Sequence, residues 1–161
     1  MLKTDTIING DCLEVLKVCR MKVPLLCDFS AVLCFTGLWK GNQIGREGAP
    51  EEYIGHLVSV FCELKRVLRS DGTFWLNIAD CYSRKSYHGL SGCKPKELMG
   101  LPWLLALTLR KEGWFLRSDI IWQKDNPMPE SAKDRPSPIV MNILFLALRK
   151  VRVNIFTINL A

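Results

Sequence analysis

The sequence predicts an α/β fold in a single domain of 161 residues. Two segments, 50–68 and 98–112, have apolar residues at the spacing of amphipathic helices. Each helix-like segment is followed by a glycine-containing turn and then by a β-rich segment, 73–78 or 114–124. A strand that follows an amphipathic helix and a tight turn is typical of α/β proteins. The apolar fraction of 48% is high enough for a packed core.

The amino-terminal part is less regular. Residues 6–8 read as a short strand, and Asn9-Gly10-Asp11 is typical of a turn. Asp11 can cap a short helix that extends through Lys17. Residues 18–40 have a period of neither two nor 3.6.

The long helix and its strand have clear boundaries. Pro50 suits the first turn of a helix, and the carboxylates of Glu51 and Glu52 favour its positive end. Ser70-Asp71-Gly72 ends this helix, and the strand follows at once. The second helix has Pro102 near its start and Gly113 at its carboxyl end.

Regular periodicity is confined to residues 50–124. We therefore expect the ordered core in that range. Residues 18–40 and 137–161 are expected to pack poorly.

Composition excludes several classes of function. The seven cysteines include no Cys-x-x-Cys pair, and only two histidines are present, so no metal site is expected. The sequence shows no secretory signal and no apolar run of the roughly 18 residues that a membrane span needs, so we expect a cytoplasmic protein with reduced thiols and no membrane partner. The net charge of +6 permits a nucleic-acid partner without requiring one.

A series of short segments occurs in a fixed order over residues 7–17 and 41–136. Its members are Ile8-Asn9-Gly10-Asp11, Gln43-Ile44-Gly45, Pro50-Glu51-Glu52-Tyr53, Arg66-Val67-Leu68, Asp71-Gly72-Thr73, Trp75-Leu76-Asn77-Ile78, Lys94-Pro95-Lys96, Pro102-Trp103, Gly113-Trp114, Arg117-Ser118-Asp119-Ile120-Ile121-Trp122, Asn126-Pro127-Met128-Pro129-Glu130-Ser131 and Lys133-Asp134-Arg135-Pro136. In this order the set resembles the DNA methyltransferases of restriction-modification systems and phages that modify cytosine-N4 or adenine-N6. The resemblance implies part of a Rossmann-like sheet with flanking helices, S-adenosylmethionine as cofactor and DNA as partner.

Two motifs of that family are missing from the chain. The family flips the target base out of the duplex and grips it with a Ser/Asp-Pro-Pro-Tyr/Phe loop. It binds the methyl donor with a Phe-x-Gly-x-Gly turn, whose glycines allow close approach. The sequence contains neither a Pro-Pro pair nor this turn, and the family's turn would lie past residue 161. No catalytic residue is therefore predicted, and we expect an inactive, pseudoenzyme-like copy.

The genetic code offers an explanation for the gaps. A permitted choice of codons for residues 27–40, read one base later, spells Val-Thr-Ser-Pro-Pro-Tyr-Tyr. A permitted choice for residues 139–144, read two bases later, spells Ser-His-Glu-Tyr-Ile, another family segment. The hypothesis is that two frameshifts separate this chain from an intact enzyme.

The candidate site residues each have two interpretations. By resemblance Asp11 lies on the methyl-donor side, whereas its local context favours a plain helix cap. Lys85, Lys94 and Lys96 can contact DNA phosphates or belong to a solvated loop. Asp80 follows a strand end, where α/β folds place ligands, or acts as a turn or cap residue.

The tryptophans at 75, 103, 114 and 122 can stack on bases, but a role in the core is favoured. Two other functions stay open at this stage. One is a non-catalytic, basic nucleic-acid-binding remnant, and the other is an unrelated soluble α/β domain.

Overall fold

The computed structural model describes residues 7–19, 27–31, 44–45, 47, 49–83, 93–123, 134–135 and 140–148. Three helices and four strands lie in these ranges. In chain order they are α1 (Cys12–Val18), β1 (Cys27–Ala31), α2 (Pro50–Val67), β2 (Thr73–Ile78), α3 (Leu101–Lys111), β3 (Phe115–Gln123) and β4 (Val140–Leu148).

The four strands form one mixed sheet in the order β1-β2-β4-β3. The first two strands run parallel, and α2 provides the crossover between them. The last strand inserts between β2 and β3 and is antiparallel to both. β2 and β3 therefore run in the same direction, and α3 lies in the long connection that such strands need.

The core lies between the helices and one face of the sheet. Residues of β2 alternate between buried and half-buried positions, with Phe74, Leu76 and Ile78 on the buried side. The ring of Phe74 packs at a tilt against Phe61 of α2, with centroids 4.8 Å apart, and against Trp114, with centroids 5.2 Å apart. Burying each such ring removes apolar surface from water, which stabilises a domain of this size.

An arginine of α2 binds the carboxyl end of α1. The Arg66 guanidinium donates to the carbonyl oxygens of Leu16 at 2.7 Å and Cys19 at 3.2 Å. These carbonyls lie at the carboxyl end of α1, where the C=O groups of a helix mostly lack N–H donors from the helix itself. Arg66 thus supplies hydrogen-bond donors to carbonyl oxygens at the end of α1 and holds α1 against α2.

The long helix, its strand and the short first helix confirm the sequence predictions. The predicted strand at 6–8 is wrong in its described part, because Ile7 and Ile8 are outside any strand and Ile7 is 98% exposed. No described strand pairs with them, and an unpaired β-prone dipeptide has no ladder to join. Thr6 lies outside the described residues.

The predicted limits of the ordered core were too narrow. β1 and β4 lie outside residues 50–124, yet both pair along the length of β2. A strand that is held by long-range pairing needs no strong local periodicity. A prediction from sequence periodicity alone therefore did not include β1 and β4.

The tryptophans divide between two environments. Trp114 is buried, which confirms the core interpretation for that residue. Trp103 is 44% exposed, so the core interpretation is wrong there; it lies on the outer side of α3. Trp75 is half-buried, and the side chain of Trp122 lies outside the described part.

None of the described helices is long and apolar enough to cross a membrane. Within the same residues, no three metal-ligating side chains come together as a metal site would require.

Candidate active-site edge

The carboxyl ends of the parallel strands meet at one edge of the sheet. Ala31 of β1 pairs with Ile78 of β2, so both strands end at the same level. In α/β folds this is the edge at which ligands bind.

Asp80 organises the segment after β2. Its carboxylate accepts hydrogen bonds from the backbone N–H groups of Cys81 at 2.8 Å, Gly100 at 3.0 Å and Leu101 at 3.2 Å. Two of these donors belong to the start of α3, which has no cap from its own residues. Burial raises the pKa of the Asp80 carboxyl, although the three N–H groups act in the opposite direction. Of the two interpretations of Asp80, the structure therefore shows the cap.

A short two-stranded arrangement extends from Asp80. Ser83 exchanges backbone hydrogen bonds of 2.8 Å with Lys96 and Glu97, and the Met99 N–H donates to the Cys81 carbonyl at 3.0 Å. The hydroxyl-bearing Ser83 is buried. These contacts fix residues 81–83 and 96–99 beside the edge of the sheet.

Basic residues border this arrangement. Lys96 pairs with Asp134 at 2.6 Å, and the Arg135 guanidinium lies 3.4 Å above the ring of Tyr82. Lys94 and Lys96 are both exposed. We call Lys94, Lys96 and Arg135 the basic rim. Lys85, the third lysine predicted to contact DNA, lies outside the described residues.

A buried carboxylate lies on the α2 side. The Glu47 side chain is 6% exposed and accepts from the Gly45 N–H at 2.7 Å and from His56 Nδ1 at 2.8 Å. Burial raises the pKa of the Tyr53 hydroxyl, and the nearby Glu47 and Cys81 raise it further. Glu47 therefore anchors the segment that leads into α2. The sequence analysis did not predict Glu47 as a site residue. The signal that could have indicated it is an acidic residue between Gly45 and the start of α2 at Pro50.

Comparison with known proteins identifies this architecture. Residues 21–159 match the sequence profile of the N6/N4 DNA methylase family. The chain belongs to the DNA methylase family. The predicted resemblance is confirmed, and the alternative of an unrelated α/β domain is wrong.

Curated relatives include two of high similarity. Type II methyltransferase M.XycI of Xanthomonas campestris pv. cyanopsidis is 39% identical over 164 residues, which cover 85% of this chain and 52% of that protein. Type II methyltransferase M.SmaI of Serratia marcescens is 37% identical over 160 residues, covering 84% and 53%. The chain spans about half the length of these two relatives.

Solved structures confirm the α/β methyltransferase fold. The PvuII DNA methyltransferase, described as cytosine-N4-specific, superposes with a TM-score of 0.66 at 17% identity, over 88% of this chain and 48% of that one. A putative DNA modification methylase from Thermus thermophilus, complexed with S-adenosyl-L-methionine, superposes with a TM-score of 0.58 at 20% identity, over 86% and 51%.

The family match also extends beyond residues 41–136. It includes most of 18–40 and reaches Asn159. These extensions contain β1 and β4, which are two of the four strands in the sheet of this chain.

Asp11 in this DNA methylase acts as a helix cap. Its carboxylate accepts from the N–H groups of Leu13 at 2.9 Å and Glu14 at 3.0 Å, at an exposed position. These bonds satisfy donors at the start of α1. The role of Asp11 on the methyl-donor side stays a prediction.

One small cavity lies between α3 and the sheet, lined by Phe74, Leu76, Leu109, Trp114 and Leu116 among others. Its volume of about 10 Å³ has room for little more than one water molecule. A nucleoside-sized ligand needs a far larger site, so this cavity does not hold a ligand of that size.

Proposed function

We propose that this chain carries the target-base side of a DNA amine methyltransferase. The parent reaction transfers a methyl group from S-adenosylmethionine to the exocyclic amine of cytosine or adenine in DNA, as part of restriction-modification in the cytoplasm. The observation that carries the proposal is that β1 and β2 end at the same level, with Asp80 after β2 capping α3, in a chain that matches the DNA methylase family.

We assign no site for the methyl donor among the described residues. Asp11 caps α1, and the cavity beside α3 has room for little more than one water molecule. The 161 residues also lack the glycine turn. No step of the reaction is therefore assigned to a donor site in this chain.

We propose further that the 161-residue chain does not methylate DNA. Amine methylation needs a loop that stabilises the charge developing on nitrogen. At 30–33 the chain has Ser-Ala-Val-Leu, which offers one hydroxyl and no rigid Pro-Pro turn. Loss of donor orientation removes up to roughly 7–11 kcal/mol of barrier reduction in well-oriented systems.

Transfer of tritiated methyl groups to mixed-sequence DNA tests both proposals. Three proteins are compared: the chain itself, a loop repair that places Thr-Ser-Pro-Pro-Tyr-Tyr at 28–33, and a full repair. The full repair adds the alternative reading frame after Pro136 and the unmatched half of a relative such as M.SmaI. We expect methylation from the full repair alone, and separation of the nucleosides identifies the base.

Methylation by the unrepaired chain would contradict the inactivity proposal. A full repair that folds, binds S-adenosylmethionine and still transfers no methyl group would contradict the proposed parent reaction. Sequencing the gene tests the frameshift account directly, since it requires Ser-Pro-Pro-Tyr in the adjacent frame.

A second function is favoured by the basic rim. Lys94 and Lys96 are exposed beside the edge where the target base would enter. We propose weak DNA binding without sequence preference, because phosphate contacts release counterions whatever the base. Affinity that does not change as salt rises several-fold would contradict this electrostatic origin.

A further inference from the structure

The backbone at Lys96 has a conformation that disfavours a lysine. Its φ is +72°, and Lys96 is the single non-glycine residue with a positive φ in the described part of the chain. In this left-handed region the Cβ of an L-residue crowds the following carbonyl oxygen, so glycine is the usual residue there. Residues held in such conformations cluster at functional sites. A function of the Lys96 ammonium group would account for a lysine at this position.

Neighbouring residues fix the turn around Lys96. Its N–H donates to the Ser83 carbonyl at 2.8 Å, and the Ser83 N–H donates to the Glu97 carbonyl at 2.8 Å. The Glu97 carboxylate accepts from the Lys94 N–H at 2.8 Å. The side chain of Lys96 nevertheless stays 70% exposed. The turn therefore holds the backbone in place while it presents the ammonium group to solvent.

The ammonium group of Lys96 is paired with a carboxylate from a distant part of the chain. Lys96 Nζ lies 2.6 Å from Asp134 Oδ2, and the Asp134 side chain is 52% exposed. The hydrogen bond from Lys96 lowers the pKa of the Asp134 carboxyl, so Asp134 is ionised at neutral pH. An exposed pair of this kind stabilises a protein little, because water and salt screen it. The pair can therefore be exchanged for another anion at low cost.

The residue after Asp134 keeps the carboxylate close to Lys96. The Arg135 guanidinium lies 3.4 Å from the centre of the Tyr82 ring, and Tyr82 forms a β-bridge with Leu98. Both contacts of residues 134–135 are thus made to the short two-stranded arrangement beside the sheet edge. A cation above an aromatic ring is attracted by the negative face of the ring. This second contact positions Asp134 at the basic rim independently of its own ion pair.

We propose that the Asp134 carboxylate occupies, in the chain without DNA, the place of one DNA phosphate on Lys96. This inference rests on the proposed DNA binding by the basic rim. Carboxylate and phosphate oxygens are both anionic acceptors for an ammonium group. DNA must therefore displace Asp134 before Lys96 contacts a phosphate. Asp134 thus acts as a built-in competitor that weakens DNA binding.

A second aspartate provides a matched control. Asp71 is paired with Arg69, and its side chain is 50% exposed, close to the value for Asp134. Asp71 lies in the turn before Thr73, where β2 begins, and therefore at the opposite edge of the sheet from the basic rim. Asp71→Asn and Asp134→Asn change the net charge equally. Only the second variant releases a cation of the basic rim.

The experiment measures the affinity of the 161-residue chain for labelled, mixed-sequence duplex DNA by fluorescence anisotropy at constant low salt. We expect Asp134→Asn to tighten binding about fivefold, equivalent to about 1 kcal/mol. Asp71→Asn should tighten it by less than about twofold. When Lys96→Gln is already present, Asp134→Asn should also tighten binding by less than about twofold, because it then releases no cation. Thermal unfolding of each variant checks that it is folded.

Inorganic phosphate tests a free anion as the alternative ligand. It is titrated at constant ionic strength while the NMR signals of the Lys96 and Asp134 side chains are followed. We expect DNA to shift both signals and phosphate to shift neither. Saturation by phosphate at millimolar concentration, absent from Lys96→Gln, would overturn the assignment of the place to DNA.

Three DNA-binding results would also overturn the proposal. These are an unchanged affinity of Asp134→Asn, an equal gain for Asp134→Asn and Asp71→Asn, and an undiminished gain from Asp134→Asn in the presence of Lys96→Gln. Each of them leaves DNA binding by the basic rim intact. Binding that Lys96→Gln does not weaken contradicts that proposed binding itself, so the two failures are distinguishable.

Discussion

Replacing Asp80 tests how the site edge is built. The Asp80→Ala variant leaves three backbone N–H groups without their acceptor, two of them at the start of α3. Loss of a helix cap costs about 0.5–2 kcal/mol, and each donor left shielded adds to that cost. We expect the free energy of unfolding to fall by about 2–3 kcal/mol. Asp80→Asn keeps one acceptor oxygen and should lose about 1 kcal/mol.

The pH dependence gives the sign of the effect. Because burial raises the pKa of Asp80 in the folded state, the folded protein holds this proton more tightly than the unfolded chain does. The contribution of Asp80 to stability is therefore present below its unfolded pKa and declines as pH rises through its folded pKa. The stability difference between the parent chain and Asp80→Asn should shrink across that window.

Urea unfolding at several pH values between 3 and 7 measures this difference, with carboxyl NMR titration of Asp80 as a direct check. Asp71→Asn is the control, because its pKa is lowered by Arg69 and its pH dependence has the opposite sign. A difference that grows as pH rises would show that the three N–H bonds outweigh burial. That result would refute the reasoning about Asp80.

Three further predictions concern the rest of the chain. Arg66→Met removes the guanidinium donors to α1 and should cost about 2 kcal/mol, with hydrogen exchange in residues 13–19 rising before that of α2; unchanged exchange there would contradict it. Gly113→Ala should cost about 1–2 kcal/mol in thermal unfolding, because Gly113 has a φ of +80° and a Cβ would lie 2.7 Å from Lys65 Nζ; a neutral effect would contradict the strain argument. Lys96→Gln should reduce by about one the steepness with which the logarithm of the DNA affinity falls against the logarithm of the salt concentration. The charge-matched control Lys111→Gln, at the far end of α3, should leave that slope unchanged. Equal slopes for the two variants would remove the basic rim from the interface.

Local signals predicted the elements that local physics determines. α2 was predictable because its proline start, acidic first turn and apolar spacing agree with one another. The turn at Gly113 was predictable because its left-handed backbone favours glycine. β1 and β4 were not predictable, since their pairing with β2 depends on residues far away in the sequence.

The site was predictable only in part for the same reason. Asp80 stood out because it follows a strand, but its three partners include the start of a helix 20 residues later. Glu47 carried no motif, and its burial depends on contacts with His56 on α2 and with Gly45. Sequence order reveals where a ligand edge will be, whereas the contacts that shape it are long-range.

The position of the missing base-gripping loop explains why the fold tolerates its loss. The frameshift account places the two prolines at positions 30 and 31, where the chain has Ser30 and Ala31 paired with Asn77 and Ile78. Proline has no N–H to donate and is confined to strand ends and edges. β1 pairs with β2 alone among the described strands, so prolines there would end the ladder near Phe29 without disturbing the core around Phe74. Restoring the loop should therefore shorten β1 by about two residues. Cross-strand nuclear Overhauser contacts from residues 30–31 to Asn77 and Ile78 that persist after the repair would contradict this account of the edge.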